Sequence, residues 1–315
     1  MQATPKSIKY SCPCNIKSNI IFHDNYYTCA DNNCAHSFRE KSFPIVNGIP
    51  LLISEVNCDT IFSRESPEIH VKRSNKKQSS LKKLIIGTDS KTIENRRKFI
   101  SEVYKISASP KILVIGSGEM GSGTEELWSN AGIEIHGIDV YMSDTVDAIC
   151  DAHYLPFKNE SYDGIWIQAV LEHVVQPNVV VDEIYRTLKV NGIVYAETPF
   201  MQQVHEGAYD FTRYTVLGHR YLFKNFQSID FGGNGGPEIV VAWSIRYFIW
   251  SVTRSKRIGR LFGLTAGLLL RPFKIFSSSA SMHDASSGVF FLGRKFSEKK
   301  LTHTNLIQLY RGQFK

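Results

Sequence analysis

The stretch KILVIGSGEMGSGTEELW, residues 111–128, decides the fold. A run of mostly apolar, β-prone residues leads into a glycine-rich turn, and a helix start follows. A buried strand that ends in such a turn before a helix is typical of parallel α/β sheets. Glycine allows the backbone to turn tightly and to approach a ligand closely. The stretch therefore predicts a ligand site at the end of a strand.

The glycine spacing limits the possible ligands but does not identify one. Gly116, Gly118 and Gly121 satisfy G-x-G-x-x-G, and Asp139 follows at the distance expected for a carboxylate that binds ribose hydroxyls. A dinucleotide fits this pattern. A nucleoside cofactor without phosphates requires the same turn and the same carboxylate. The motif by itself leaves both ligands open.

Strand and helix patterns alternate through the middle of the chain. Predicted strands cover 111–116, 134–140, 162–169 and 192–200, and predicted helices cover 90–106, 124–132 and 177–189. Sheets of this kind bind ligands at the carboxyl ends of their strands. We therefore expect the chemistry there.

Composition sets the broad class. The 315 residues are 43% hydrophobic, which is enough for a substantial core, and the formal net charge is +7. This charge favours polyanions, either RNA or an anionic membrane surface. The N-terminus lacks the apolar segment of a signal peptide, and no apolar run reaches the roughly 18 residues of a membrane span. We expect a cytoplasmic protein.

Four cysteines crowd the first 34 residues: Cys12, Cys14, Cys29 and Cys34. In a reducing compartment such a cluster favours a structural zinc ion over disulfides. His36 is an alternative ligand that would replace one thiolate. The first pair, with one residue between the cysteines, is a residue shorter than the usual zinc knuckle. Four reduced thiols in a small β unit are the competing interpretation.

The N-terminal region resembles a known module. The segments CPC, YTCADNNCAHSF and FPIVNGIPLL are similar to zinc ribbons such as the small activator protein of tRNA and release-factor methyltransferases. A similar finger precedes the catalytic domain of some rRNA guanine methyltransferases. The resemblance implies a zinc-ribbon-like module over 1–58. The polar, basic segment that follows, 59–89, is predicted to be a linker.

A stronger resemblance covers 150–200. The pieces CDAHYLPF, SYDGIW, VLEHV, EIYRTLKVNG and ETPF follow one another as in class I S-adenosylmethionine-dependent methyltransferases. The resemblance implies a Rossmann-like sheet of seven mostly parallel strands with helices on both faces. It also implies a transferase whose cofactor is S-adenosyl-L-methionine.

The same resemblance assigns the cofactor site. The implied residues are Gly116, Ser117, Gly118, Asp139, Asp151, Ala152 and Gln168. The glycine turn would contact the methionine part of the cofactor and Asp139 its ribose. Asp151 and Ala152 would contact adenine, and Gln168 would lie near the transferred methyl group. Capping of a turn is the alternative role of Asp151.

Two positions depart from the family pattern. Val114 replaces the usual acidic residue before the first glycine, and Met120 stands where the third glycine is expected. These departures are the sequence support for a non-catalytic binding module with the same fold.

The segment 199–223 follows the position where acceptor-binding groups converge in this fold. His205 is the candidate base, and Asp210, Arg213 and Tyr214 are candidate substrate-binding residues. The pattern is loosely similar to methyltransferases of cell-surface glycan assembly. A network that only orders the loop is the alternative.

In the earlier motif LEHV, Glu172 and His173 are expected to hold the loop after their strand through backbone hydrogen bonds. A role for His173 as the catalytic base is the alternative.

Residues 239–276 combine apolar and aromatic residues with seven basic residues, and two helices are predicted. The segment suits either a lid over the acceptor or an amphipathic element on anionic lipid.

These patterns predict six regions: 1–58, the 59–89 linker, a catalytic core over 90–238, a helical insertion over 239–280, the last core strand within 281–298, and a tail over 299–315. The predicted function is methyl transfer to oxygen or nitrogen, with a saccharide or lipid-linked glycan hydroxyl favoured as acceptor. A tRNA or rRNA base is the alternative acceptor. The predicted location is the cytoplasm, with peripheral contact at the inner membrane face through 239–276.

Overall fold

The computed structural model describes residues 8–14, 17–54, 60, 90–121, 123–296 and 300–314. The strands in these ranges are β1 Ile20–His23, β2 Tyr26–Cys29, β3 Phe43–Val46, β4 Ile49–Pro50, β5 Lys111–Ile115, β6 Glu134–Asp139, β7 Ala148–Ile149, β8 Tyr162–Gln168, β9 Leu188–Pro199, β10 Phe226–Asn234 and β11 Gly288–Lys295. The α-helices are α1 Ser90–Tyr104, α2 Glu125–Trp128, α3 Pro177–Thr187, α4 Val216–Leu222, α5 Pro237–Thr253, α6 Lys256–Leu270, α7 Ser279–Ala285 and α8 His303–Gln308.

Seven strands form the central sheet, in the order β10-β11-β9-β8-β5-β6-β7. Strands β9, β8, β5, β6 and β7 pair in parallel, and β11 runs antiparallel between β9 and β10. This topology confirms the predicted Rossmann-like fold. The order places the carboxyl ends of β5, β6, β8 and β9 along one edge, where the predicted site residues lie.

Helices cover both faces of the sheet because the central strands are apolar on both sides. On one face, Phe99 and Val103 of α1 pack in the buried cluster that includes Ile112 and Trp166. On the other face, Val180 of α3 belongs to the second buried cluster. The two predicted helices at 90–106 and 177–189 are therefore confirmed, each a little shorter than expected.

The N-terminal strands β1 to β4 form a small antiparallel sheet that packs on the edge of the large sheet. Leu51 pairs in parallel with Ile149 of the edge strand β7, and the Leu52 amide donates to the Ile149 carbonyl at 2.7 Å. Cys12 and Phe43 lie in the same buried cluster as residues of the catalytic sheet. The N-terminal region thus shares a core with the sheet. Of the predicted 59–89 linker, only Thr60 lies within the described residues.

The insertion between β10 and β11 is a helical hairpin of α5 and α6, followed by a 3₁₀ segment over Arg271–Phe276 and by α7. The prediction of two helices over 239–276 is confirmed. Within the described part of the chain, neither helix is long and apolar enough to cross a bilayer.

Two elements differ from their prediction. The helix expected over 124–132 is a single turn, Glu125–Trp128, because Gly132 and Asn130 support a turn instead. Strand β10 contains two glycines and a charged residue, Asp230, and was not predicted from its pattern. It forms because β11 offers it a hydrogen-bonding edge.

Helix α4 contains a histidine whose burial makes stability depend on pH. His219 is 1% exposed, and neither ring nitrogen has a hydrogen-bond partner among the described residues. Burial lowers its pKa from 6.5 to about 3. As the pH falls through about 6.5, the unfolded chain takes up this proton and the folded chain does not. Stability should therefore decline between about pH 6.5 and pH 3.

We expect the wild type to lose about 3 kcal/mol more of its unfolding free energy than His219→Leu between pH 7 and pH 4. Denaturant titrations at a series of pH values measure this difference. The exposed His303, changed to Leu, is the control and should keep the wild-type slope. Equal slopes in wild type and His219→Leu would refute the assignment.

Candidate active site

The glycine turn closes over the end of β6. The amides of Gly116 and Ser117 both donate to the Ile138 carbonyl, at 2.9 and 3.0 Å. Gly116 has a φ of +79°, and a Cβ there would fall 2.2 Å from Cγ2 of Val170. Only glycine fits this position, since both the backbone angle and the neighbouring side chain exclude a larger residue.

Asp139 ends β6 beside this turn and is half-buried. Its carboxylate accepts hydrogen bonds from the Gly118 amide and the Val140 amide, each at 2.7 Å. Each carboxylate oxygen can accept more than one hydrogen bond. Asp139 is therefore held against the glycine turn, and its contact with ribose hydroxyls remains a prediction.

Arg96 of α1 holds the last residues of the glycine turn. The buried Arg96 guanidinium donates to the Gly123 carbonyl and to the Glu126 carboxylate. Thr124 closes the same turn through a 2.7 Å hydrogen bond to the Gly121 carbonyl. Sequence patterns did not reveal Arg96, because its partners lie 27 and 30 residues away.

Gln168, the last residue of β8, lies against the glycine turn. A Cβ at Gly121 would fall 2.4 Å from Oε1 of Gln168. The structure therefore brings together the predicted methionine-contacting turn and the residue predicted to lie near the methyl group.

Asp151 caps the 3₁₀ turn Ala152–Tyr154, the alternative role considered for it. One oxygen accepts from the His153 amide at 2.9 Å and lies 2.6 Å from His153 Nδ1, and the other accepts from the Thr60 hydroxyl at 2.6 Å. Burial opposes ionisation, but the hydrogen bonds from His153 outweigh it and lower the pKa of Asp151. Ala152 is also buried. Contact of these two residues with adenine remains a prediction.

Past β9, Arg213 organises the predicted acceptor loop. Its guanidinium donates to both oxygens of Asp210 and to the carbonyls of Gln202, Gln203 and Thr212. These hydrogen bonds occupy the guanidinium N–H groups that Arg213 would need to bind a methyl acceptor through two parallel hydrogen bonds. Burial favours the neutral form of Asp210, yet the hydrogen bonds from Arg213 prevail and lower its pKa to about 2. The network orders the loop, as the alternative interpretation held.

The motif LEHV forms a 3₁₀ turn, Leu171–His173, directly after β8. His173 holds the neighbouring loop as expected, since its Nδ1 lies 2.6 Å from the Tyr209 carbonyl. Glu172 binds this loop through its backbone carbonyl, which accepts from the Phe211 amide at 2.8 Å. Its carboxylate is fully buried and accepts no hydrogen bond from another described residue, and burial raises its pKa to about 8. The expected hydrogen bond of this side chain to nearby backbone is therefore not one that holds the loop.

A groove of about 540 Å³ opens beside this loop. Its walls are Gln202, Gln203, Val204, Asp210, Phe211, Thr212, Arg213 and Tyr247. Tyr247 belongs to α5, so the helical insertion forms one wall. Tyr214 does not line the groove. It lies half-buried beside His219, with ring centroids 5.8 Å apart.

The four N-terminal cysteines meet in space. The sulfur atoms of Cys12, Cys14, Cys29 and Cys34 all lie within 4.8 Å of one another. His36 is not available as a fourth ligand. Its Nδ1 lies 2.7 Å from the Lys41 carbonyl, and its Nε2 lies 2.7 Å from the Ser54 hydroxyl.

Comparison with known families decides the reaction class. The family model of a methyltransferase domain matches residues 113–196, from β5 through most of β9. The chain is an S-adenosylmethionine-dependent methyltransferase. The match favours the enzyme over the non-catalytic module considered above. No curated protein matches the chain.

Solved methyltransferases show a distant structural similarity to this enzyme. A putative sarcosine dimethylglycine methyltransferase from Galdieria sulphuraria is 16% identical with a TM-score of 0.43, and the alignment covers 65% of this chain and 85% of that one. Phosphoethanolamine N-methyltransferase 2 from Haemonchus contortus is 17% identical with a TM-score of 0.44, covering 68% and 55%. Geranyl diphosphate C-methyltransferase from Streptomyces coelicolor is 12% identical with a TM-score of 0.42, covering 64% and 79%.

Asp139 provides the direct test of the cofactor site. Asp139→Ala removes an ionised acceptor, a loss of about 2 to 3 kcal/mol in binding. We expect calorimetry to show a dissociation constant for S-adenosylmethionine raised about 30- to 150-fold. Asp144→Ala, which removes an exposed carboxylate five residues away, should bind like the wild type. Unchanged affinity in Asp139→Ala would place the cofactor elsewhere.

Proposed function

We propose that this methyltransferase methylates a hydroxyl of a lipid-linked glycan at an anionic membrane surface. The observation that carries the proposal is the position of the helical hairpin, which forms a wall of the groove and also exposes a basic, apolar surface. The Tyr247 hydroxyl of α5 donates to the Val204 carbonyl at 3.0 Å, and Gln203 donates to Ser244 at 3.5 Å. An acceptor in the groove would therefore lie next to the surface of the hairpin.

The hairpin has small residues inside and large apolar residues outside. Ala242 is the buried residue of α5 and Gly259 that of α6, and a Cβ at Gly259 would fall 2.6 Å from the Arg246 carbonyl. Several large apolar side chains are exposed by 40% or more: Val241, Phe248, Val252, Ile258, Leu261, Phe262, Leu268, Leu269, Phe273, Ile275 and Phe276. Soluble helix pairs usually place such residues inside. The arrangement suits an apolar environment such as the lipid interface.

The hairpin surface is positively charged as well as apolar. The segment 239–276 contains no acidic residue and seven basic ones: Arg246, Arg254, Lys256, Arg257, Arg260, Arg271 and Lys274. Its charge equals the net charge of the whole chain, +7. Basic residues next to an apolar surface attract anionic lipid, with about 1 kcal/mol for each charge near the bilayer. The hairpin thus serves both predicted roles, as a groove wall and as a membrane-surface element.

Methyl transfer to a hydroxyl requires alignment and loss of a proton. The acceptor oxygen forms a bond to the methyl carbon while the carbon–sulfur bond of the sulfonium breaks, and alignment supplies much of the rate. In this proposal Asp139 holds the ribose, the turn at Gly116 and Gly118 holds the methionine part, and Gln168 lies near the methyl group. His205, beside the groove, promotes loss of the acceptor proton.

We also propose that the four-cysteine cluster holds a structural zinc ion. Sulfurs that bind zinc tetrahedrally at about 2.3 Å lie about 3.8 Å apart. The Cys12 and Cys34 sulfurs are separated by 3.9 Å. Because the cluster lies in the core shared with the large sheet, its ion would stabilise the edge of the catalytic domain.

Elemental analysis of the purified chain tests the zinc proposal. The wild type should contain about one zinc ion bound by thiolates, and Cys29→Ser should lose it and unfold at a lower temperature. Cys150→Ala is the control, since Cys150 is buried away from the cluster. Wild-type protein that releases no zinc on denaturation would refute the site.

Transfer of radiolabelled methyl groups tests the acceptor. With a membrane extract containing lipid-linked glycans, water-soluble glycans and RNA, we expect label in the lipid-linked fraction. Arg257→Gln combined with Arg260→Gln should weaken binding to phosphatidylglycerol vesicles about 30-fold and reduce labelling accordingly. Arg97→Gln in α1, combined with Lys105→Gln in the turn after it, removes the same charge and is the control. Label in RNA, or equal vesicle binding by all variants, would contradict the proposal.

A further inference from the structure

A second cluster of metal-ligating side chains lies at the predicted position of methyl transfer. Glu172 and His173 follow β8, and His205 follows the adjacent parallel strand β9. One ligand atom from each residue lies within 4.8 Å of the others. His173 Nε2 is 3.6 Å and His205 Nε2 is 3.9 Å from Oε1 of Glu172. We propose that Glu172, His173 and His205 bind a divalent first-row transition metal ion.

The Glu172 carboxylate supplies the strongest evidence. The residue is 0% exposed, and neither carboxylate oxygen has a hydrogen-bond partner in the described part of the chain. A buried carboxylate without partners is costly unless a cation or hydrogen bonds compensate it. The Arg213 charge is close enough to favour the ionised carboxylate, but Arg213 makes no hydrogen bond to Glu172. Its guanidinium donates to Asp210 and to backbone carbonyls, and it lies 3.5 Å from His205 Nδ1. The buried oxygen is instead close to two imidazole nitrogens.

Both imidazoles are oriented by groups behind them. His173 Nδ1 lies 2.6 Å from the Tyr209 carbonyl, so this nitrogen carries the proton and Nε2 has a free lone pair toward Glu172. His205 Nδ1 lies 3.2 Å from a carboxylate oxygen of Asp210. Metal-binding histidines commonly have this support, a carbonyl or carboxylate on the nitrogen away from the ion. Asp210 is thus a positioning residue for the site.

The cluster is open on one side. Glu172 is buried, whereas the side chain of His205, which follows the groove residue Val204 in the chain, is 30% exposed. Two histidines and one carboxylate with remaining open positions are typical of catalytic zinc and non-haem iron sites. Ligands around such ions at about 2.1 Å lie roughly 3.0 to 3.4 Å apart. Ion binding would therefore bring the Glu172 oxygen about 0.2 to 0.9 Å closer to the two imidazole nitrogens.

The catalytic role of this metal site rests on the proposed function, because it requires a hydroxyl as the methyl acceptor. An acceptor hydroxyl bound at an open position of the ion would lose its proton more readily, as metal-bound water does. The oxygen would then form its bond to the methyl carbon, the carbon–sulfur bond would break to give S-adenosylhomocysteine, and the hydroxyl proton would pass to water in the groove. His205 then acts as a metal ligand.

Cobalt titration of the full-length chain tests the site. After removal of metals with a chelator, the wild type should bind two Co²⁺ ions, one with thiolate charge-transfer bands and one without them. Glu172→Gln and His205→Ala should each bind only the thiolate-bound ion. Asp210→Asn should weaken the second ion about 10- to 100-fold. His303→Ala, outside both clusters, should bind as the wild type does.

A measurement on the wild type covers the case in which a variant fails to fold. Cu²⁺ added to zinc-loaded protein should give electron spin-echo modulation from two imidazoles. Absence of a second cobalt ion, unchanged binding in His205→Ala, or a copper signal without imidazole coupling would each overturn the metal site. Labelling of lipid-linked glycan without a second ion would refute the metal site alone. A bound second ion without labelling of that glycan would refute the proposed acceptor alone.

Discussion

The hydrogen bonds between the end of β5 and the end of β6 are the constraint on which the site depends. Two consecutive amides, of Gly116 and Ser117, donate to one carbonyl, that of Ile138, and the next amide donates to the Asp139 carboxylate. This turn requires a positive φ at Gly116, where the absent side chain leaves room for Val170. Val170 directly precedes the turn that carries Glu172. Gly116 therefore fixes the turn predicted to hold the cofactor and, through its contact with Val170, constrains the turn that carries Glu172.

The N-terminal module depends on the same sheet. An edge strand of only two residues, β7, leaves backbone groups that need partners, and Leu51 and Leu52 supply them. The Ser11 amide adds a 2.8 Å hydrogen bond to the Pro156 carbonyl. Cysteines of the cluster are buried in the same core as these strands. The N-terminal module is therefore packed on the large sheet and shares its core.

Sequence patterns predicted the parallel strands because both faces of each strand are buried, so each strand is a short continuous apolar run. The patterns did not predict β10. A strand with two glycines and an aspartate has a weak pattern of its own and forms by pairing with its neighbour. The patterns placed Asp139 correctly at a strand end. They did not reveal that His36 is bonded to Lys41 and Ser54, or that no other described residue donates a hydrogen bond to the Glu172 carboxylate. Both facts depend on contacts between segments distant in the sequence, which single-sequence patterns do not contain.

The hairpin and the acceptor loop are mechanically connected. Val204 and Gln203, which bond to Tyr247 and Ser244 of α5, directly precede His205 in the chain. A rotation of the hairpin on a lipid surface would act on these two contacts, and both lie within two residues of the imidazole. The loop beyond them is held by Arg213 and Asp210, so displacement of His205 would be confined to this short stretch. The geometry therefore couples the hairpin surface, proposed to dock on lipid, to His205, the proposed metal ligand.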